Sequence, residues 1–81
     1  MTQAEILKEL DDEFPGVKYL YKRDIAKYLE EPLTNTYHTM TAKGFPLEPR
    51  FEGRMELRTL KTNFAAWWVR KHAEMDRRMA T

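Results

Sequence analysis

The sequence predicts a small α+β fold, and three observations carry that expectation. Two short helical patterns sit close together ahead of Lys43-Gly44-Phe45-Pro46. An alternating, arginine-flanked run follows that tetrapeptide, and a helix with adjacent tryptophans closes the chain. Helix, turn, helix, Gly-Phe-Pro, basic hairpin, helix is the order of a winged helix-turn-helix, with three to four helices and a two-stranded β-hairpin wing.

The first helix starts at a capping box made by Thr2 and Glu5. Ile6, Leu7, Leu10 and Phe14 recur at helical spacing, and Pro15-Gly16 stops the run. That apolar stripe is expected to pack on the body of the domain or on a second copy. A second helix is expected from about Lys22 to Glu30, with Ile25, Ala26 and Leu29 inward and Lys22, Arg23 and Lys27 outward. Glu31-Pro32 ends it, because a residue before proline avoids the helical region.

A third helix is expected from Leu33 or Thr34 to Lys43, with Gly44 as its left-handed stop. Leu33, Tyr37 and Met40 would line its inner face, and Asn35, His38, Thr39 and Ala42 the outer one. Its threonines and asparagine make it a poor helix by propensity, so packing or a ligand must support it. The wing follows. Leu47, Pro49 and Phe51, then Met55 and Leu57, alternate with charged residues on either side of a Glu52-Gly53 turn. Arg50, Arg54 and Arg58 would point outward. Thr62 is the expected N-cap of the last helix, whose stripe is Phe64, Trp67, Trp68, Met75 and Met79. Adjacent tryptophans cannot both face the core. Trp67 is expected inside and Trp68 partly exposed.

Composition narrows the function. The chain has 81 residues, enough for one small domain with a stability on the order of 5 kcal/mol. Cysteine and serine are both absent, which removes the commonest nucleophiles and any thiol metal site. His38 and His72 lie on different helices without a ligand-spaced companion, and the three glycines form no phosphate loop. No enzymatic activity and no cofactor or metal is expected. There is no apolar run of membrane-spanning length and no signal-peptide pattern, so a cytoplasmic location in a bacterial host is expected.

Charge is unevenly spread. Residues 1–16 hold five carboxylates against one lysine, whereas residues 17–81 hold 13 Lys and Arg against 8 Asp and Glu. An acidic amphipathic segment, 1–16, would thus precede a basic domain, 17–81, suited to a polyanion. In a helix-turn-helix the first helix crosses the backbone and the second reads bases. Lys22, Arg23 and Lys27 are placed to meet one strand's phosphates. Thr34, Asn35, His38, Thr39 and Lys43 would face base edges or phosphates from the third helix. Arg50, Arg54 and Arg58 would meet the other strand or the minor groove.

These residues resemble the phage excisionase and AlpA-like regulator group, whose fold is related to the MerR-type winged helix. The likeness runs over about residues 19–72. Tyr21 to Leu29, with Asp24-Ile25-Ala26, is similar to that group's first motif helix. Thr36 to Pro46 is similar to the second helix and its Gly-Phe-Pro exit, Phe51-Glu52-Gly53-Arg54 to the wing, and Phe64 with Trp67 to the closing helix. The chain departs from the group at Thr39, where an arginine is common, and at Leu33, where a serine is common. The resemblance implies a non-enzymatic binder of double-stranded DNA that acts as an excisionase or a transcription regulator. It implies an integrase or recombinase as partner in the first role, and cooperative self-association on DNA. The alternative from another class is a small protein-interaction module. It would bind a host or phage protein through the exposed tryptophan and the Ile6–Phe14 stripe.

Overall fold

The computed structural model describes residues 2–48 and 57–79, with side chains through Arg77. The described elements are α1 (Gln3–Glu13), β1 (Tyr19–Tyr21), α2 (Lys22–Leu29), α3 (Leu33–Thr41), β2 (Arg58–Leu60) and α4 (Lys61–Met79). Four helices and a two-stranded antiparallel sheet make an α+β fold compatible with a winged helix-turn-helix. The expected wing tip, with Arg50, Glu52-Gly53 and Arg54, lies outside the described residues.

Helix α1 forms as its sequence dictates. Thr2 Oγ1 accepts from the Glu5 amide at 3.2 Å, and the Thr2 amide donates to Glu5 Oε1 at 3.1 Å. These contacts from Thr2, the side chain first, hold the Glu5 carboxyl below its ordinary pKa. The support they give is therefore present above the ordinary carboxylate range and is lost as pH falls through the lowered value. Ile6 and Leu10 are fully buried against α4, so the apolar stripe belongs to the chain's own core. That removes Ile6 and Leu10 from any docking face.

The described sheet is a pairing the alternation did not suggest, and the expected hairpin lies largely outside the described residues. Tyr19 pairs with Leu60, Leu20 with Thr59 and Tyr21 with Arg58, joining the segment before α2 to the segment before α4. Leu20 and Thr59 face the core, and the Thr59 hydroxyl donates to the Pro46 carbonyl at 2.6 Å. On the other edge of β2 the Glu48 amide donates to the Arg58 carbonyl at 3.0 Å. The chain leaving α3 is thereby held beside β2 at the root of the expected wing.

Helix α4 begins at Lys61, one residue before the expected cap Thr62. Strand β2 runs straight into it, and the Lys61 amide donates to the Lys18 carbonyl at 2.9 Å, so Thr62 already lies inside the first turn and is not the cap. The Lys61 side chain is buried. Its ammonium donates to Asp11 Oδ1 at 3.0 Å and to the Phe14 carbonyl at 2.9 Å, closing the C-terminal end of α1. Phe64 and Ala65 are fully buried and Trp67 is 8% exposed, while Trp68 is half-buried. Met75 is exposed, in contrast to its expected place on the stripe. Trp68 and Val69 still pack against the core, and from Arg70 to Arg77 only His72 keeps partial cover.

Trp67→Ala should cost about 3–5 kcal/mol, enough to unfold a domain this small, and Trp68→Ala should cost clearly less. Urea denaturation of both variants decides it, and a larger loss for Trp68 would mean that α4 is rotated. Lys61→Met should lose about 1–3 kcal/mol, because the Phe14 carbonyl loses its donor. Asp11→Asn should stay within about 1 kcal/mol, since Asp11 is largely exposed. Equal effects of the two substitutions would show that the ion pair, and not the carbonyl contact, matters.

Candidate nucleic-acid interface

The candidate interface is built on α2, α3 and the turn that leaves α3. Asp24 accepts from the Tyr21 amide at 3.0 Å and fixes the start of α2, putting Lys22 and Arg23 in its first turn. Arg23 and Lys27 are exposed and Lys22 is half-buried. Ile25 and Ala26 turn inward as expected. Helix α2 ends with Glu30 in the left-handed region at φ 55°, after which Glu31 and Pro32 lead directly into α3. This tight connection packs α2 and α3 against each other.

Helix α3 sits in a different rotation from the expected one. Thr36 and Met40 are buried, whereas Leu33 and Tyr37 are 52% and 49% exposed. A buried threonine needs a hydrogen-bond partner. Thr36 has two, since its hydroxyl reaches Glu31 Oε1 at 3.0 Å and the Pro32 carbonyl at 3.2 Å. Its burial turns Tyr37, the next residue, away from the core. Tyr37 instead lies outside, with the Lys22 ammonium 5.8 Å from its ring centre and His38 edge-on at 5.9 Å.

The outer face of α3 therefore presents Leu33, Thr34, Asn35, Tyr37 and His38, all exposed, with Thr39 half-buried. Thr39 and Thr41 bond back to the carbonyls of Asn35 and Tyr37, at 3.1 and 2.8 Å. Their hydroxyl protons are engaged, so they offer a ligand acceptor oxygens and methyl groups. The helix ends at Thr41, two residues before the expected Lys43. Ala42 is extended, and the Phe45 amide closes a turn onto the Ala42 carbonyl at 3.3 Å. Gly44 has φ +95° in that turn, the backbone state expected of it, but as part of the turn and not as the helix cap. Lys43 is exposed at the tip of the turn.

The structure thus brings Lys22, Thr34, Asn35, His38, Thr39 and Lys43 onto or beside one helix, with Arg23 and Lys27 on the helix packed against it. Arg58 is separate from them on β2, its guanidinium stacked 4.1 Å from the Tyr19 ring centre and its side chain half-buried. Arg50 and Arg54 lie outside the described residues. Sequence periodicity missed Leu33 and Tyr37 as surface residues. The available signal was Thr36, four residues before Met40 and five after Glu31, which can be buried and satisfied at once.

Among the described residues no group of three or more His, Cys, Asp or Glu is placed to hold a metal ion, and no helix is long and apolar enough to cross a membrane. Comparison of the chain with protein-family models, curated proteins and solved structures finds no match.

Proposed function

We propose that this chain is a sequence-specific binder of double-stranded DNA from a phage or other mobile element, acting as an excisionase or transcription regulator without catalysis. The observation that carries the reading is the outer face of α3. Five consecutive-turn positions, Leu33, Thr34, Asn35, Tyr37 and His38, are exposed on a helix of poor intrinsic propensity, with Lys22 beside it and Lys43 at its exit. Asn35 and His38 have the donors and acceptors that read base edges, and Leu33 and Tyr37 supply apolar surface of the kind a thymine methyl accepts. Lys22, Arg23, Lys27 and Lys43 supply phosphate contacts. The resemblance to excisionases and AlpA-like regulators supports the same reading, and with it an integrase or recombinase partner and cooperative loading on repeated sites.

The second reading is a protein-interaction module. The exposed Leu33 and Tyr37 favour it, because two large apolar side chains four residues apart on one helix suit a protein groove as well. Salt separates the two readings. With about four to six phosphate contacts, the log–log dependence of duplex affinity on salt should have a slope of roughly −4 to −5. Fluorescence anisotropy of labelled duplex over a salt series measures it, and no binding at low salt would overturn the DNA reading. Asn35→Ala and His38→Ala should each lose about 1–3 kcal/mol on the preferred site and little on random duplex. Equal losses on both would contradict base reading by α3.

A further inference from the structure

Two adjoining clefts lie between the exit turn of α3 and the middle of α4. One is lined by Lys43, Gly44, Trp67, Arg70, Lys71 and Glu74. The other shares Lys43, Trp67 and Lys71 with it and adds Thr39 and Phe45 from the α3 side. Three cations from two elements therefore surround one concave surface whose wall is the buried Trp67. Lys71 lies 5.9 Å from that ring centre. The carboxylate of Glu74, on the same cleft, is 3.8 Å from the Lys71 ammonium and offsets part of that charge, which leaves the cleft with a net positive excess from Lys43 and Arg70. No carboxylate among the described residues pairs with Lys43 or Arg70.

Like charges gathered around a concavity repel one another, and an anion seated among them relieves that repulsion. Arginine and lysine side chains are the usual donors to phosphate oxygens. Lys43 belongs to the turn that ends α3, so an anion here would sit at the C-terminal end of the face that carries Asn35 and His38. We propose that this cleft seats a backbone phosphate of the duplex strand bordering α3, with Lys43, Arg70 and Lys71 as its donors. This rests on the DNA-binding reading and extends the interface onto α4. Arg70 and Lys71 become contact residues, and α4 both holds the core and grips the strand.

The test compares the wild-type chain with the double variant Arg70→Gln, Lys71→Gln and with Arg77→Gln. Arg77 is an exposed cation further along α4 that lines neither cleft. Duplex affinity is measured by anisotropy over a salt series, and thermal melts check that the exposed substitutions leave the fold intact. The double variant should bind both the preferred and random duplexes more weakly, with a slope shallower by about one. Arg77→Gln should match wild type. If wild type binds but the double variant keeps the full slope, or Arg77→Gln lowers it as much, the phosphate seat is overturned while DNA binding stands. If wild type does not bind duplex at all, the DNA reading itself fails and the seat with it.

Discussion

Phe64 is the point on which the described structure turns. Its ring is fully buried and meets four other aromatic rings that belong to three parts of the chain. Tyr28 of α2 stands edge-on at 5.8 Å, Phe45 of the α3 exit lies at 6.3 Å, and Trp67 and Trp68 of α4 lie at 5.7 and 6.4 Å. Phe45 is also edge-on to Trp67 at 4.9 Å. Aromatic pairs in these geometries add about 0.5–1.5 kcal/mol each beyond the area they bury. More important for function is what they fix. Phe45 follows the Gly44 turn, so anchoring its ring sets where α3 ends and how α3 is turned relative to α2 and α4.

Polar contacts within and around this core fasten the remaining elements. Tyr28 carries the connection outward from Phe64, since its hydroxyl donates to Glu9 Oε2 of α1 at 2.7 Å. Burial, and then that carboxylate, push the Tyr28 hydroxyl well above its ordinary pKa, so it stays a donor at any physiological pH. Lys61 ties the end of α1 to the start of α4, Thr59 ties β2 to Pro46, and Thr36 ties α3 to Glu31. Among the described side chains, no buried polar atom lacks a partner. Each of these bonds joins segments that are far apart in sequence or sit at a helix junction. They specify position where the apolar contacts supply most of the stability.

Much of this was legible in the sequence, and the failures share a physical cause. The capping box, the Ile6–Leu10 stripe, the inward Ile25 and Ala26 and the buried Trp67 all follow from local spacing. The rotation of α3 did not, because periodicity ranks residues by apolarity. It cannot see that Thr36 finds two acceptors and can therefore be buried in place of Tyr37. Thr62 looked like a cap because its chemistry is right, yet the pairing of β2 with the segment before α2, which carries the Lys61 amide to the Lys18 carbonyl, starts the helix one residue earlier. Strand β1 is three residues long and, among the described residues, pairs with β2, a partner that no local pattern reveals. Arg70 and Lys71 read as surface charge until the fold puts Lys43 across a cleft from them.

The proposed function depends on the outer face of α3 being the surface that meets DNA. Amide chemical-shift mapping by NMR, with a short duplex added to the labelled protein, tests it most directly. The largest changes should fall on residues 33–39, at Lys22 and Arg23, and in the turn around Lys43 and Gly44, with α1 undisturbed. A contradicting result would be changes confined to the cleft that Leu7, Val17, Lys18 and Leu60 line between α1, β2 and the start of α4, or no change in α3 at any duplex concentration.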